Sequence, residues 1–315
     1  MVFIKYIIAA VCVVALSIKA SEYVDLLDQK TELSGAFIGG VMLSAVTSLP
    51  ELFTSISSTL LIHKPELCIG NILGSDLFNL VIIATLLIFA FKPFKNAKVS
   101  KGHTIVTLCV LAGYVTILLN AKNILNFNIL NVSITSFIIV GLYAYSFKYL
   151  AGESGGDTMN EDCESPLTVK QILVRFVIVS IGIILSSITI TYITDEIAEV
   201  LHLGSGIAGA IFLGVATSLP ELASTVSLFK MQNYDIAFGN IAGSNIFNLI
   251  ILSVTDVLYR EGGIYTMNDP KNYILLIGGI VASLAFVAFM NCKNRVVQFA
   301  MLVTILASYG AFLIL

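Results

Sequence analysis

Thr47-Ser48-Leu49-Pro50-Glu51, followed by Gly70-Asn71-Ile72-Leu73-Gly74-Ser75-Asp76-Leu77-Phe78-Asn79, is a phrase that the chain spells twice. Thr217-Ser218-Leu219-Pro220-Glu221 and Gly239-Asn240-Ile241-Ala242-Gly243-Ser244-Asn245-Ile246-Phe247-Asn248 repeat it in the second half. Each copy sets a carboxylate inside a stretch otherwise fit only for a membrane. An acid at the bilayer centre costs about 2.5 kcal/mol or more, so a duplicated one marks a functional site.

The surroundings of the two copies are apolar throughout. Hydrophobic residues make up 57% of the 315 positions and charged residues 12%, and the mean hydropathy is +0.95. These values describe a polytopic membrane protein. Apolar stretches able to cross about 30 Å of hydrocarbon as helices fall near 2–20, 33–62, 66–91, 102–120, 127–149, 170–193, 203–229, 236–257, 272–291 and 296–315. The expected fold is therefore an all-α membrane protein of ten transmembrane helices. Between the fifth and sixth spans, Ala151 to Thr168 carries Glu153, Asp157, Glu161, Asp162 and Glu164 among Gly and Ser, the composition of a solvated linker. The expected division is 1–150, a linker at 151–169, and 170–315.

Twelve of the 17 Lys and Arg fall on one side of these spans and five on the other, which makes the first side, and with it the acidic linker, cytoplasmic and places both termini outside. The opening segment has the outline of a secretory signal, with Lys5 ahead of an apolar run, but the repeat argues for its retention. Sliding the chain by 170 residues sets Lys5 on Arg175, Tyr6 on Phe176, Leu33 on Leu203, Gly39 on Gly209 and Glu51 on Glu221 without a gap. Because five helices separate each element from its copy, the two five-helix repeats run in opposite directions. Inverted repeats whose broken helices meet at a midplane site are the architecture of secondary transporters.

Within each motif the residue types point to a hard cation. Thr47, Ser48 and Glu51 share one helical face, as do Thr217, Ser218 and Glu221. Pro50 and Pro220 remove the donors that would have met the carbonyls of Val46 and Ala216, so a broken helix with free carbonyl oxygen is expected beside those side chains. Gly70 with Gly74, and Gly239 with Gly243, permit close helix contact. One turn further on, Ser75 with Asn79 and Ser244 with Asn248 add hydroxyls and amides. Ca²⁺ takes about 6 to 8 oxygens in flexible geometry, whereas Zn²⁺ or Cu would call for His and Cys. His63, His103 and His202 stand near helix ends, no two of the cysteines share a metal-ligand spacing, and no HExxH or GxSxG pattern suggests an enzyme. Scattered basic residues and a net charge of −3 give no nucleic-acid signal. A cation channel with an acidic ring is the rival from another class.

The paired TSLPE and GN-x-x-GS-x-x-x-N motifs resemble those of the sodium/calcium exchangers of the cation/calcium exchanger superfamily, and the resemblance runs over essentially the whole chain. It implies a plasma-membrane antiporter working by alternating access, with Na⁺ and Ca²⁺ as competing substrates, no cofactor, and a monomeric assembly. It also implies that Thr47, Ser48, Glu51, Ser75, Asn79, Thr217, Ser218, Glu221, Ser244 and Asn248 contact the ions, with main-chain oxygens around Ser44 and Gly214 as lesser candidates. Segments 1 and 6 look like the family's pair of sliding helices. Potassium-dependent relatives usually carry an acid where Asn248 stands, and proton-coupled ones where Leu73 and Ala242 stand; neither signature is present, although H⁺/Ca²⁺ and K⁺-dependent exchange remain the alternatives within the superfamily. Asp76, which stands where the other copy has Asn245, is an extra acid for which a structural or tuning role is expected, with proton sensitivity or altered ion preference left open.

Overall fold

The computed structural model describes residues 2–30, 43–89, 99–152, 167–230, 232 and 234–315. Long runs of Ile, Leu, Val and Ala, free of internal proline, fold as helices whose backbone groups are satisfied within the segment, as hydrocarbon requires. Helix α1 is Val2–Lys30. The first motif follows as α2 (Leu43–Thr47) and α3 (Leu49–Ile56), continued by a π-helical turn at Ser57–Leu61. Next come α4 (Pro65–Phe89), α5 (Lys101–Ala121), α6 (Ile134–Gly152) and α7 (Val169–Leu201). The second motif is carried by α8 (Ser205–Thr217, with a π-helical stretch at Gly209–Gly214) and α9 (Leu219–Lys230). Helices α10 (Tyr234–Leu258), α11 (Pro270–Asn291) and α12 (Arg295–Ile314) complete the described chain.

Seven of the described helices are long and apolar enough to cross a membrane, and the bent pair α8–α9 makes an eighth. The protein is a multi-pass integral membrane protein. The first part of span 33–62, Leu33 and Gly39 of the repeat register, and positions 153–166 of the linker with Cys163 lie outside the described residues.

Burial sorts the helices into a centre and a rim. The apolar window of α4 is 67% buried and that of α10 is 72%, against 17% for α1 and for α7. Helices α1 and α7 pack along each other at the rim and turn Ile4, Ile7, Ile8, Val11, Val177, Ile178 and Ile181 outward, as lipid-facing helices do. Both outrun the expected spans. At about 1.5 Å per residue, the 33 residues of α7 reach roughly 50 Å against about 30 Å of hydrocarbon. Its far end carries Asp195, Glu196 and Glu199, and Lys64 binds two of them, at 2.5 Å to Asp195 and 3.7 Å to Glu199.

Elsewhere the span expected from 127 begins as a β-hairpin. Asn128–Ile129 pairs with Val132–Ser133 across Leu130 and Asn131, both in the left-handed region at φ 51° and 64°, and the helix starts only at Ile134. The buried carboxylate of Asp256 fixes this entry by accepting the main-chain N–H of Ser133 at 2.8 Å and the hydroxyl of Ser136 at 2.7 Å. Removing it leaves a buried donor unmet, so Asp256→Ala should lower stability by about 1 to 3 kcal/mol. A lower Tm in detergent is the expected result.

Candidate ion site

Each motif segment passes from one helix to the next at the serine two places ahead of its proline. Ser48 sits at φ −88°, ψ 9° and Ser218 at φ −86°, ψ 4°, and α8 meets α9 at 44°. Ser48 still donates its N–H to Ser44 at 3.1 Å and Ser218 to Gly214 at 3.2 Å. Pro50 and Pro220 then cannot meet the carbonyls of Val46 and Ala216.

Helix α4 is pressed onto the first half of the second motif through glycine. A methyl group built on Gly70 would lie 2.2 Å from the carbonyl oxygen of Gly206, and one on Gly74 would lie 2.5 Å from Cα of Ala210. That contact brings Ser75 to the main-chain oxygen of Gly214 at 3.2 Å and to the hydroxyl of Thr217 at 3.4 Å. Gly239 instead approaches the His103 ring, 3.0 Å from a built methyl. Asn71 and Asn240 lock each motif helix to its following helix. The Asn71 amide donates to Thr54 at 2.9 Å and to Ser55 at 3.2 Å; that of Asn240 donates to Ser224 at 2.9 Å and to Thr225 at 3.2 Å.

The carboxylates then meet hydroxyls crosswise. Ser48 of the first copy faces Oε1 of Glu221 at 3.4 Å, and Ser218 of the second faces Oε1 of Glu51 at 3.5 Å. Ser244 adds a third hydroxyl, 3.4 Å from Glu221. Both acids are 1% exposed, and in each Oε2 is buried without a hydrogen-bond partner. Desolvating a carboxylate oxygen without a donor is unfavourable, so this geometry suits a cation supplied from outside the protein. Among the described residues no three His, Cys, Asp or Glu side chains converge closely enough to hold a metal, which leaves two acids and neutral oxygens.

All ten residues expected at the site are buried. Ser48, Glu51, Ser75, Thr217, Ser218, Glu221 and Ser244 are linked across the two copies by the contacts above. Thr47 turns its hydroxyl to the Ser44 carbonyl at 3.2 Å, and Thr217 also donates to Leu213 at 3.0 Å, so these main-chain oxygens are already engaged. Asn79 donates to Oδ1 of Asn245 at 2.9 Å, and Asn248 donates to Oδ1 of Asp76 at 2.9 Å. Asp76 also accepts the Tyr114 hydroxyl at 2.7 Å. The sequence reading missed the anchoring by Asn71 and Asn240. Its signal was the Ser or Thr pair standing three and four places after each Glu. Away from the site, His63 pairs with Glu261 at 3.1 Å and His103 with Asp235 at 3.0 Å.

A family model described as sodium/calcium exchanger protein matches residues 3–150 and 171–315. The chain belongs to this family. Inner membrane protein YrbG of Escherichia coli is 26% identical over 255 residues, covering 78% of this exchanger-family chain and 77% of YrbG. Among solved structures, an H⁺/Ca²⁺ exchanger, CAX, matches 99% of the chain with 87% of its own at a TM-score of 0.72 and 12% identity. The sodium-calcium exchanger NCX_Mj matches 99% of the chain with 99% of its own at a TM-score of 0.61 and 18% identity. At such identities these two structures show a shared fold.

Proposed function

We propose that this chain is a secondary-active antiporter that exchanges several Na⁺ for one Ca²⁺ by alternating access. The observation that carries the reading is the crosswise meeting of Glu51 and Glu221 with Ser218 and Ser48, each acid keeping one buried oxygen without a partner. Two ionised Glu balance the formal charge of one Ca²⁺, and Na⁺ must enter in greater number to do the same. Mutual exclusion in one cavity follows. An emptied carrier crosses poorly, because two bare carboxylates face an apolar barrier.

In this reading the ten residues Thr47, Ser48, Glu51, Ser75, Asn79, Thr217, Ser218, Glu221, Ser244 and Asn248 hold the ions. The chain folds as ten helices in two inverted five-helix repeats, 1–150 and 170–315, with the broken helices at the bilayer midplane. The linker 151–169 is cytoplasmic, both termini lie outside, the membrane is the plasma membrane, and the working unit is a monomer. The long α1 and α7 are the pair that slides against the core. A proton-coupled reading is favoured by the likeness to CAX. Leu73 and Ala242 stand where the resemblance to proton-coupled relatives calls for acids, which weighs against it.

The deciding measurement is Ca²⁺ uptake into proteoliposomes under outward Na⁺, K⁺ or H⁺ gradients. Uptake driven by Na⁺ and little affected by the other two is expected. Strong drive by H⁺ with none by Na⁺ would move the chain to proton coupling, and uptake without any counter-ion would make it a channel.

A further inference from the structure

Two side chains outside the ten, Asp76 and Asn245, hold the amide groups of Asn248 and Asn79. Asp76 and Asn245 occupy the same place in the two motif copies, directly after Ser75 and Ser244, and they are fully and almost fully buried at 0% and 3% exposure. Each accepts the amide N–H of the last residue of the other copy: Asp76 from Asn248 and Asn245 from Asn79, both at 2.9 Å. An Asn side chain has one donor edge and one acceptor edge. Committing the NH2 group therefore turns Oδ1 the opposite way, and in both Asn79 and Asn248 that oxygen is buried without a hydrogen-bond partner.

The three contacts form one chain across the two copies. Asn248 meets Asp76 through its NH2 group. The main-chain oxygen of Asp76 accepts only, and it takes the NH2 group of Asn245 at 3.1 Å. That leaves the Oδ1 of Asn245 to receive Asn79. Residue 76 thus governs one amide through its side chain and the other through its carbonyl, with Asn245 as the relay. Tyr114 donates to the other carboxylate oxygen at 2.7 Å, so each oxygen of Asp76 receives a protein donor. No cluster of three acids forms around Glu51 and Glu221 among the described residues.

We propose that Asp76 and Asn245 are positioning residues that aim the carbonyl oxygens of Asn248 and Asn79 at the transported cation, each acting across to the opposite motif copy. The proposal rests on the exchanger reading of the ten-residue site. It makes Asp76 a holder of a ligand and not a ligand or a carrier of charge.

The test measures the apparent KM and maximal rate of Ca²⁺ uptake by reconstituted full-length protein. Asp76→Ala should raise KM by about 10- to 100-fold, the range seen when a group that orients a metal ligand is lost. Asp76→Asn keeps an acceptor for Asn248 and should restore the parent KM. Asp76→Ala combined with Asn248→Ala should be no worse than the poorer single variant, whereas combined with Asn79→Ala the losses should multiply. Asn245→Ala should show the reverse pattern, non-additive with Asn79→Ala. This second cycle decides the matter if Asp76→Ala does not fold. Equal impairment by Asp76→Asn and Asp76→Ala, or multiplying losses within either cross pair, overturns the inference. Glu51→Gln and Glu221→Gln run alongside: uptake surviving in those variants overturns the site reading itself, while their inactivity together with an impaired Asp76→Asn overturns the positioning role alone.

Discussion

Glu51→Gln and Glu221→Gln, each made singly, are expected to yield folded protein that takes up almost no Ca²⁺ in response to a Na⁺ gradient. Gln has the shape of Glu and keeps an oxygen able to accept the hydroxyl of Ser218 or Ser48, so the cross-contact can survive. What is lost is charge. Ca²⁺ between two carboxylates is formally neutralised, and between one carboxylate and one amide it carries an unbalanced positive charge in a pocket where both acids are 1% exposed. Leaving a buried charge uncompensated costs about 3 to 5 kcal/mol, and each 1.4 kcal/mol is about tenfold in affinity. Uptake should therefore fall by at least about a hundredfold at a Ca²⁺ concentration near the parent KM. A variant that is monodisperse in detergent and retains near-parent uptake would show that the acid in question does not hold the ion.

Gly70→Ala and Gly74→Ala should be nearly as damaging, though the residues touch no ion. The added methyl would stand 2.2 Å from a main-chain oxygen at Gly206 and 2.5 Å from the Cα of Ala210. Neither neighbour is a side chain that can swing away, so α4 must move off α8. Overpacking of a tight contact costs about 1 to 3 kcal/mol. The functional loss should exceed the loss of stability, because the same contact sets Ser75 against Gly214 and Thr217. Gly141→Ala is the control, since nothing lies within 4 Å of a methyl there. The pair of readouts is Tm in detergent and uptake in vesicles; parent-like values for Gly74→Ala would show that α4 and α8 have slack between them.

Much of the fold is legible in the sequence. Hydrophobic run length is the signal for the seven described helices and the bent pair that can cross a membrane, because hydrocarbon imposes a minimum length. Particular failures have particular causes. The hairpin at 128–133 hid inside an apolar run because Ile129, Leu130 and Val132 read as lipid-facing; the turn was signalled only by Asn128 and Asn131, and its fixing acceptor, Asp256, lies far along the chain. The polar ends of α1 and α7 continue as helix beyond the hydrocarbon length, which hydropathy cannot see. Within the site, residue types and i, i+4 spacing gave the donor set. Which hydroxyl meets which acid depends on how distant helices cross, and spacing along one helix says nothing about that. The roles of Asn71 and Asn240 were hidden for the same reason, since their partners lie on the preceding motif helix.

The crosswise pairing of Ser48 with Glu221 and of Ser218 with Glu51 has an evolutionary corollary. Neither spelling of the motif can drift alone, because the fitness of a change in one is judged by its counterpart on the far side of the molecule. Relatives of this chain should consequently show linked substitutions between such distant positions, most visibly between 76 and its partner 248, since Asp76 stands where the other spelling has Asn245.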